Sequence, residues 1–195
     1  MGALTILALI IVASGAGFLS RSLLQWALLR PYNVARGTGY AGLVTSAFVH
    51  ADLTHLLFNL ITFVSFGFAL ERVIGTVRFV ALYLSGLLVS SIGTCIKHRN
   101  EPNYGSLGAS GAILAVLFAS IVYFPHNRLV LLPLPIPIPG PLFAVIYLAF
   151  SWYSARHARG NINHDAHIGG ALTGLAFVAI TDPQRIRALW SSFSG

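Results

Sequence analysis

The sequence predicts an all-α membrane protein, a bundle of six transmembrane helices. Only 9% of the 195 residues are charged and 56% are hydrophobic, where a soluble domain carries about 25% charged residues. The mean hydropathy is +0.77. The apolar residues also fall into six separate runs with polar punctuation between them. So few charges cannot cover a water-facing surface, which excludes a soluble domain and a disordered chain alike. Six spans of about 20 residues would take up roughly 120 positions. No room remains for a soluble domain, so one membrane domain is expected over 1–195. The net charge is +7, but the basic residues sit singly at the ends of apolar runs. That pattern suits snorkelling and membrane lipids, not nucleic acid. Cys95 is the sole cysteine, so an intramolecular disulfide is impossible.

The elements follow in order. The first span, 4–20, comes after Met1-Gly2-Ala3-Leu4-Thr5, which lacks the basic side chain of a signal peptide. It reads as a retained first helix. Residues 20–51 are long for a membrane loop. They mix Leu23, Leu24, Trp26, Leu28 and Leu29 with Arg21 and Arg30, which suits a segment lying in the interface. The second span, 52–70, ends at Glu71, Arg72 and Gly75, with Glu71 as its anchor. The third, 78–96, is closed by Lys97-His98-Arg99-Asn100-Glu101-Pro102, and the fourth, 108–124, by Pro125. In 132–141 every second residue is proline. That spacing predicts an extended, polyproline-type connector, neither helix nor strand ladder. The fifth span, 141–154, is short, and the sixth, 165–181, is closed by Asp182-Pro183.

Parity then becomes informative. With six spans, the second, fourth and sixth enter the membrane from the same face, and the conspicuous polar residues lie near those three entry points. His55 and Asn59 are four apart and share a face of the second helix. Polar side chains in a span face the protein interior and mark either a functional site or a helix-packing hydrogen bond. Ser110 lies within Gly108-Ala109-Ser110-Gly111-Ala112, where small neighbours permit close approach of a substrate or of another helix. From Ser110 to Phe124 a helix covers roughly 22 Å, against a hydrocarbon core of about 30 Å. With Pro125 and Arg128 at the far interface, Ser110 lies roughly 8 Å below the near surface. It would open a helix, where backbone N–H groups stabilise an oxyanion. His167, Gly170 and Gly174 share one face of the sixth helix. Gly170 and Gly174 form a GxxxG surface whose natural partner is Gly111, Ala112, Ala115 and Ala119. Such a seam would bring His167 toward Ser110 as its base.

These motifs together resemble the rhomboid intramembrane serine proteases: Gly108-Ala109-Ser110-Gly111, Ala166-His167 with Gly170 and Gly174, and His55 with Asn59. The resemblance runs from Thr45 to the sixth helix. It implies a six-helix rhomboid-like bundle, a Ser-His dyad without a third acid, and cleavage of single-span transmembrane substrates. Ser110 would be the nucleophile and His167 the general base. His55, Asn59 and the Ser110 N–H would serve the oxyanion, and Gly108 would precede the serine in its loop. No cofactor or metal is implied. His164 and His167 are three apart, but no full ligand set is visible. The resemblance also implies a bacterial inner membrane, with the site toward its extracytoplasmic face. Charge does not choose the orientation. Arg72, Arg78, Arg128, Arg185 and Arg187 would be inside, and Arg21, Arg30, Arg36, Lys97, Arg99, Arg156 and Arg159 outside, five against seven.

Two departures stand out. Where many members carry a Trp-Arg pair in the first loop, this chain has Tyr40-Ala41-Gly42-Leu43. Four residues after the serine, where some members place a ring against the histidine, it has Leu114. The base would then be positioned by apolar packing or by another ring. His50, His98, His126, His157 and His164 sit at span ends and read as interfacial. Phe58 and Trp152 are candidates to line a lateral opening between the second and fifth helices, or to pack against lipid or core. Two rivals remain. A silent, client-binding relative would lack the serine or the histidine, and both are present. A small transporter would need a polar route across the bilayer, yet beyond Ser110 the fourth span offers only Ser120 and Tyr123.

Overall fold

The computed structural model describes residues 1–131, 134–157 and 162–194. Helix α1 (Gly2–Leu19) is followed by three short helices, α2 (Arg21–Ala27), α3 (Pro31–Val34) and α4 (Gly42–Thr45), and a 3-10 turn at Ser46–Phe48. The long helices α5 (Leu53–Ile74) and α6 (Thr76–His98) come next, then α7 (Ser110–Tyr123). A hairpin of β1 (Arg128–Leu131) and β2 (Leu134–Pro139) leads into α8 (Gly140–His157), α9 (His164–Thr181) and α10 (Pro183–Ser194). Among the described residues α1, α5 and α6 are long and apolar enough to cross a membrane, and α7 is a shorter apolar helix. Helices α8 and α9 have 18 residues each.

Helix α7 is the axis of the molecule. Every residue from Gly111 to Val122 is buried, which is what an apolar helix without a polar face requires. Its neighbours are α5, α6, α8, α9 and α10. The tightest of these contacts is with α9. A Cβ added at Gly170 would overlap the Gly111 carbonyl oxygen and stand 3.0 Å from the Gly111 Cα. One added at Gly174 would overlap the Ala115 carbonyl oxygen and stand 3.0 Å from its Cα. Two backbones touch along this seam, the geometry that small residues permit in helix pairs lacking a hydrophobic driving force. Gly111 in turn leaves no space for a side chain against Ser90 of α6.

Adjacent glycines of α9 therefore have opposite expected tolerances. The nearest atom to an added Cβ at Gly169 is 3.7 Å away, so Gly169→Ala should leave the thermal midpoint in detergent unchanged. Gly170→Ala should lower it, by the equivalent of about 1–3 kcal/mol of overpacking or more. Equal midpoints for the two variants would contradict the close-contact seam.

One departure from the sequence reading concerns the proline tract. The tract forms a strand after all: β2 pairs antiparallel with β1, with Pro139 opposite Arg128 and Pro137 opposite Val130. The protein is therefore not purely α-helical. Prolines spaced by two all present their donor-less nitrogens to one edge of a strand, whose own period is two. A two-stranded hairpin has such a free edge. Residues 132 and 133, also part of the expected connector, lie outside the described residues, as does Arg159. Helix α8 begins at Gly140 and runs to His157, longer than the expected 141–154.

The first loop braces the chain that precedes Ser110. Leu29 and Ser106 exchange both backbone hydrogen bonds at 3.0 Å, and the Gly108 N–H donates to the Ser46 carbonyl at 2.8 Å. Where the Trp-Arg pair was missing, Gly42 lets α4 close onto the Leu28 carbonyl, which would stand 2.6 Å from an added Cβ. Glu71 does more than close α5. Its carboxylate accepts the N–H groups of Gly2 at 2.7 Å and Ala3 at 3.1 Å, capping the positive end of α1.

Candidate active site

Ser110 is the first residue of α7 and His167 lies in the first turn of α9. The tight α7–α9 seam sets the two helix starts side by side, and Ser110 Oγ stands 2.8 Å from His167 Nε2. The start of α9 is itself fixed. Ser90 Oγ of α6 donates to the Ala166 carbonyl at 3.0 Å. The Asn163 amide donates to Thr94 Oγ1 at 2.8 Å, while its oxygen caps α9 by accepting the Ala166 N–H at 3.0 Å. Lys97 of α6 pairs with Asp165 and also reaches the Ala155 carbonyl of α8 at 3.4 Å.

The far nitrogen of His167 is also engaged: Nδ1 lies 3.1 Å from the Tyr147 hydroxyl of α8. Tyr147 was not among the candidates. It is one ring in a helix that also carries Phe143, Phe150, Trp152 and Tyr153, and nothing in their spacing singles it out. His164 stays close, with its ring 6.0 Å from that of His167.

His55 and Asn59 lie on the cavity side of α5. Asp52 caps this helix, accepting the His55 N–H at 2.7 Å. Asn59 is buried, and its amide donates back to the His55 carbonyl at 3.0 Å, leaving its second N–H for another acceptor. The His55 ring packs against Gly108. That glycine has φ +116°, and an added Cβ would stand 2.7 Å from the imidazole. The loop before Ser110 thus requires glycine twice over, for its backbone angle and for the ring beside it.

His50 departs from its interfacial reading. It is fully buried and lies edge-on to His55, with ring centroids 4.9 Å apart. Its Nε2 accepts the Ala109 N–H at 3.4 Å, and its Nδ1 lies 2.9 Å from Ser14 Oγ of α1. Ser14 Oγ donates to the Phe48 carbonyl at 3.0 Å. One tautomer satisfies the whole chain, with Nδ1 donating to Ser14. Burial, reinforced by the neighbouring His55, pushes the His50 imidazole down to about 4. It is neutral at physiological pH, as that tautomer demands. The signal was present in the sequence as His50, His55 and Asn59 on one short stretch, but its meaning depends on Ser14, which lies far back in the chain.

A cavity of about 1360 Å3 joins these groups, lined by Ser110, His167, His55 and Asn59 among others. Phe58 and Thr62 of α5 line it opposite Ile146 and Phe150 of α8. Trp152 is not among the residues that line the cavity, and the Arg156 guanidinium lies over its ring at 4.0 Å. The arrangement holds a hydroxyl, a base within hydrogen-bond reach and a helix N-terminus at one spot. That set can carry out acyl transfer.

Comparison with known proteins agrees with the fold. Residues 36–184 match the family model described as the Rhomboid domain. The chain is 29% identical over 160 residues to "Rhomboid protein 1, mitochondrial" of Saccharomyces cerevisiae, covering 78% of this chain and 46% of that protein. It is 32% identical over 145 residues to "Presenilin-associated rhomboid-like protein, mitochondrial" of Homo sapiens, covering 70% and 36%. A Bacillus subtilis (strain 168) relative, YdcA, whose name includes the words rhomboid protease, is 32% identical over 160 residues, covering 79% and 75%. The chain therefore spans less than half the length of the two mitochondrial relatives.

Proposed function

The chain belongs to the rhomboid family, and from that premise we propose that it is an intramembrane serine endopeptidase that cleaves transmembrane segments of single-span membrane proteins. The observation that carries the reading is the 2.8 Å separation of Ser110 Oγ and His167 Nε2 at the head of a buried helix. In this reading six helices, α1 and α5 to α9, cross the bilayer. The cavity opens toward the extracytoplasmic face of a bacterial inner membrane.

Ser110 Oγ attacks the scissile carbonyl carbon as His167 Nε2 takes its proton. The carbonyl oxygen becomes an oxyanion. The Ser110 N–H at the start of α7 stabilises it there, with His55 and Asn59 supplying further donors from α5. His167 then gives the proton to the leaving amine, and the C–N bond breaks. Water admitted from the open end attacks the acyl-enzyme, with His167 again as base, and frees the new carboxylate and Ser110. A helical substrate hides its carbonyls, so the favoured substrate is one that unwinds near its membrane end.

The test is cleavage of a generic transmembrane substrate by the purified chain in detergent or liposomes. Metal chelation should leave the activity unchanged. Activity lost to a chelator and restored by zinc would overturn the dyad. The oxyanion side gives a graded expectation. Asn59→Ala removes one donor and leaves the Ser110 N–H, so kcat should fall about tenfold to a hundredfold, below the 10²–10³ seen in soluble serine proteases. His55→Ala should act similarly, and the double variant should lose less than the product of the two. A change confined to KM would assign both residues to substrate docking instead.

A further inference from the structure

A histidine that takes a proton on Nε2 must carry its own on Nδ1. The bond recorded for His167 Nδ1 is the one to the Tyr147 hydroxyl, at 3.1 Å. We propose that Tyr147 of α8 is the positioning residue of the dyad, its phenol oxygen accepting the Nδ1–H and so fixing both the tautomer and the plane of the base. The inference rests on the dyad reading above and adds the partner that reading lacks.

Three features favour this role. The ring position four residues after the serine is occupied by Leu114, so no aromatic of α7 orients the imidazole from there. Tyr147 is itself held, with its ring 5.9 Å from Phe118 of α7 and 5.5 Å from Phe143 of α8 between centroids. Its hydroxyl therefore meets His167 from a fixed body. The phenol proton also has somewhere to go. Ser151 lies one turn further along the same face, fully buried, and its Oγ, which no residue other than Tyr147 engages among the described residues, faces the phenol. With the phenol proton turned toward Ser151, the Tyr147 oxygen keeps a lone pair for His167. The bond strengthens when His167 becomes cationic after taking the Ser110 proton, because charge-assisted hydrogen bonds are the stronger ones. Its effect therefore falls on the chemical step and not on substrate binding.

The test is Tyr147→Phe, which removes the hydroxyl and keeps the ring packed. In the full chain, kcat should fall about tenfold to a hundredfold, by analogy with the range lost when the outer hydrogen-bond partner of a metal-ligating histidine is removed, while KM stays within about twofold. The rate of labelling of Ser110 by a fluorophosphonate, which needs no substrate, should fall by the same factor. Thermal stability should fall by no more than the loss of one hydrogen bond explains. Tyr147→Leu, which also removes the ring, should lose stability but match Tyr147→Phe in labelling rate per folded molecule. Wild-type kcat and labelling in Tyr147→Phe would overturn the proposal, as would an effect confined to KM. Ser110→Ala and His167→Ala run alongside separate the two readings. If either still cleaves, the dyad fails. If both are dead and Tyr147→Phe is unimpaired, only the role of Tyr147 fails.

Discussion

Ser110→Ala yields a folded, membrane-inserted protein that cleaves no substrate and takes up no fluorophosphonate. The substitution costs little structurally. Ser110 sits among Ala109, Gly111 and Ala112, alanine is the strongest helix former, and the hydrogen bond recorded for the hydroxyl is the one to His167. Chemically it removes the atom that bonds to the substrate. In a soluble serine protease loss of the nucleophile lowers kcat by about 2 × 10⁶, which puts the variant at the detection limit. His167→Ala should be equally inactive, and the double variant no worse than either single, because the two residues act as one unit. Gel assays of cleavage, with labelling as the second readout, check this. Undiminished cleavage by Ser110→Ala would end the mechanism.

Gly108→Ala is the second large effect, from a single added methyl group. At φ +116° an L-residue is strained, at a cost of roughly 1–2 kcal/mol. The methyl would also stand 2.7 Å from the His55 ring, so either the loop or the imidazole must move. Both lead to the same place, since the loop carries the Ser110 N–H and the ring is the neighbouring donor of the proposed oxyanion site. Loss of one such donor costs about 10²–10³ in rate, and Gly108→Ala should reach that range with Ser110 and His167 still present. A truncation at His55 is the informative partner. If Gly108→Ala combined with His55→Ala is slower than His55→Ala alone, the backbone angle carries a cost of its own beyond the clash with the ring. Wild-type kcat in Gly108→Ala would show that the loop bends without consequence.

Much of the frame was legible because a bilayer simplifies the code. Apolar runs marked the stretches that form helices α1 and α5 to α9, and residues at the starts of α5, α7 and α9 line one cavity. The GxxxG pair on α9 pointed to α7, and the structure has Gly170 and Gly174 on the backbones of Gly111 and Ala115. Legibility ended where a residue's meaning comes from a distant partner. His50 looked interfacial because it stands at the end of a span, yet Ser14 and Ala109 enclose it. Tyr147 drew no reading from the sequence because helix periodicity cannot say which of several rings meets a histidine of the next helix. The proline tract misled for a different reason. Proline forbids a ladder only where a donor is needed, and alternate spacing on a free edge needs none.

The hydrogen bonds through Ser14 have a further consequence. The recognised domain begins at residue 36, so α1 lies wholly outside it, and a fragment trimmed to that boundary would retain Ser110, His167, His55 and Asn59. It would nevertheless lose the hydroxyl that holds the His50 tautomer, and with it the outer end of the tether on the Ala109 N–H. The stretch recognisable by kinship is therefore shorter than the stretch whose hydrogen bonds reach the nucleophile's loop through Ser14 and His50.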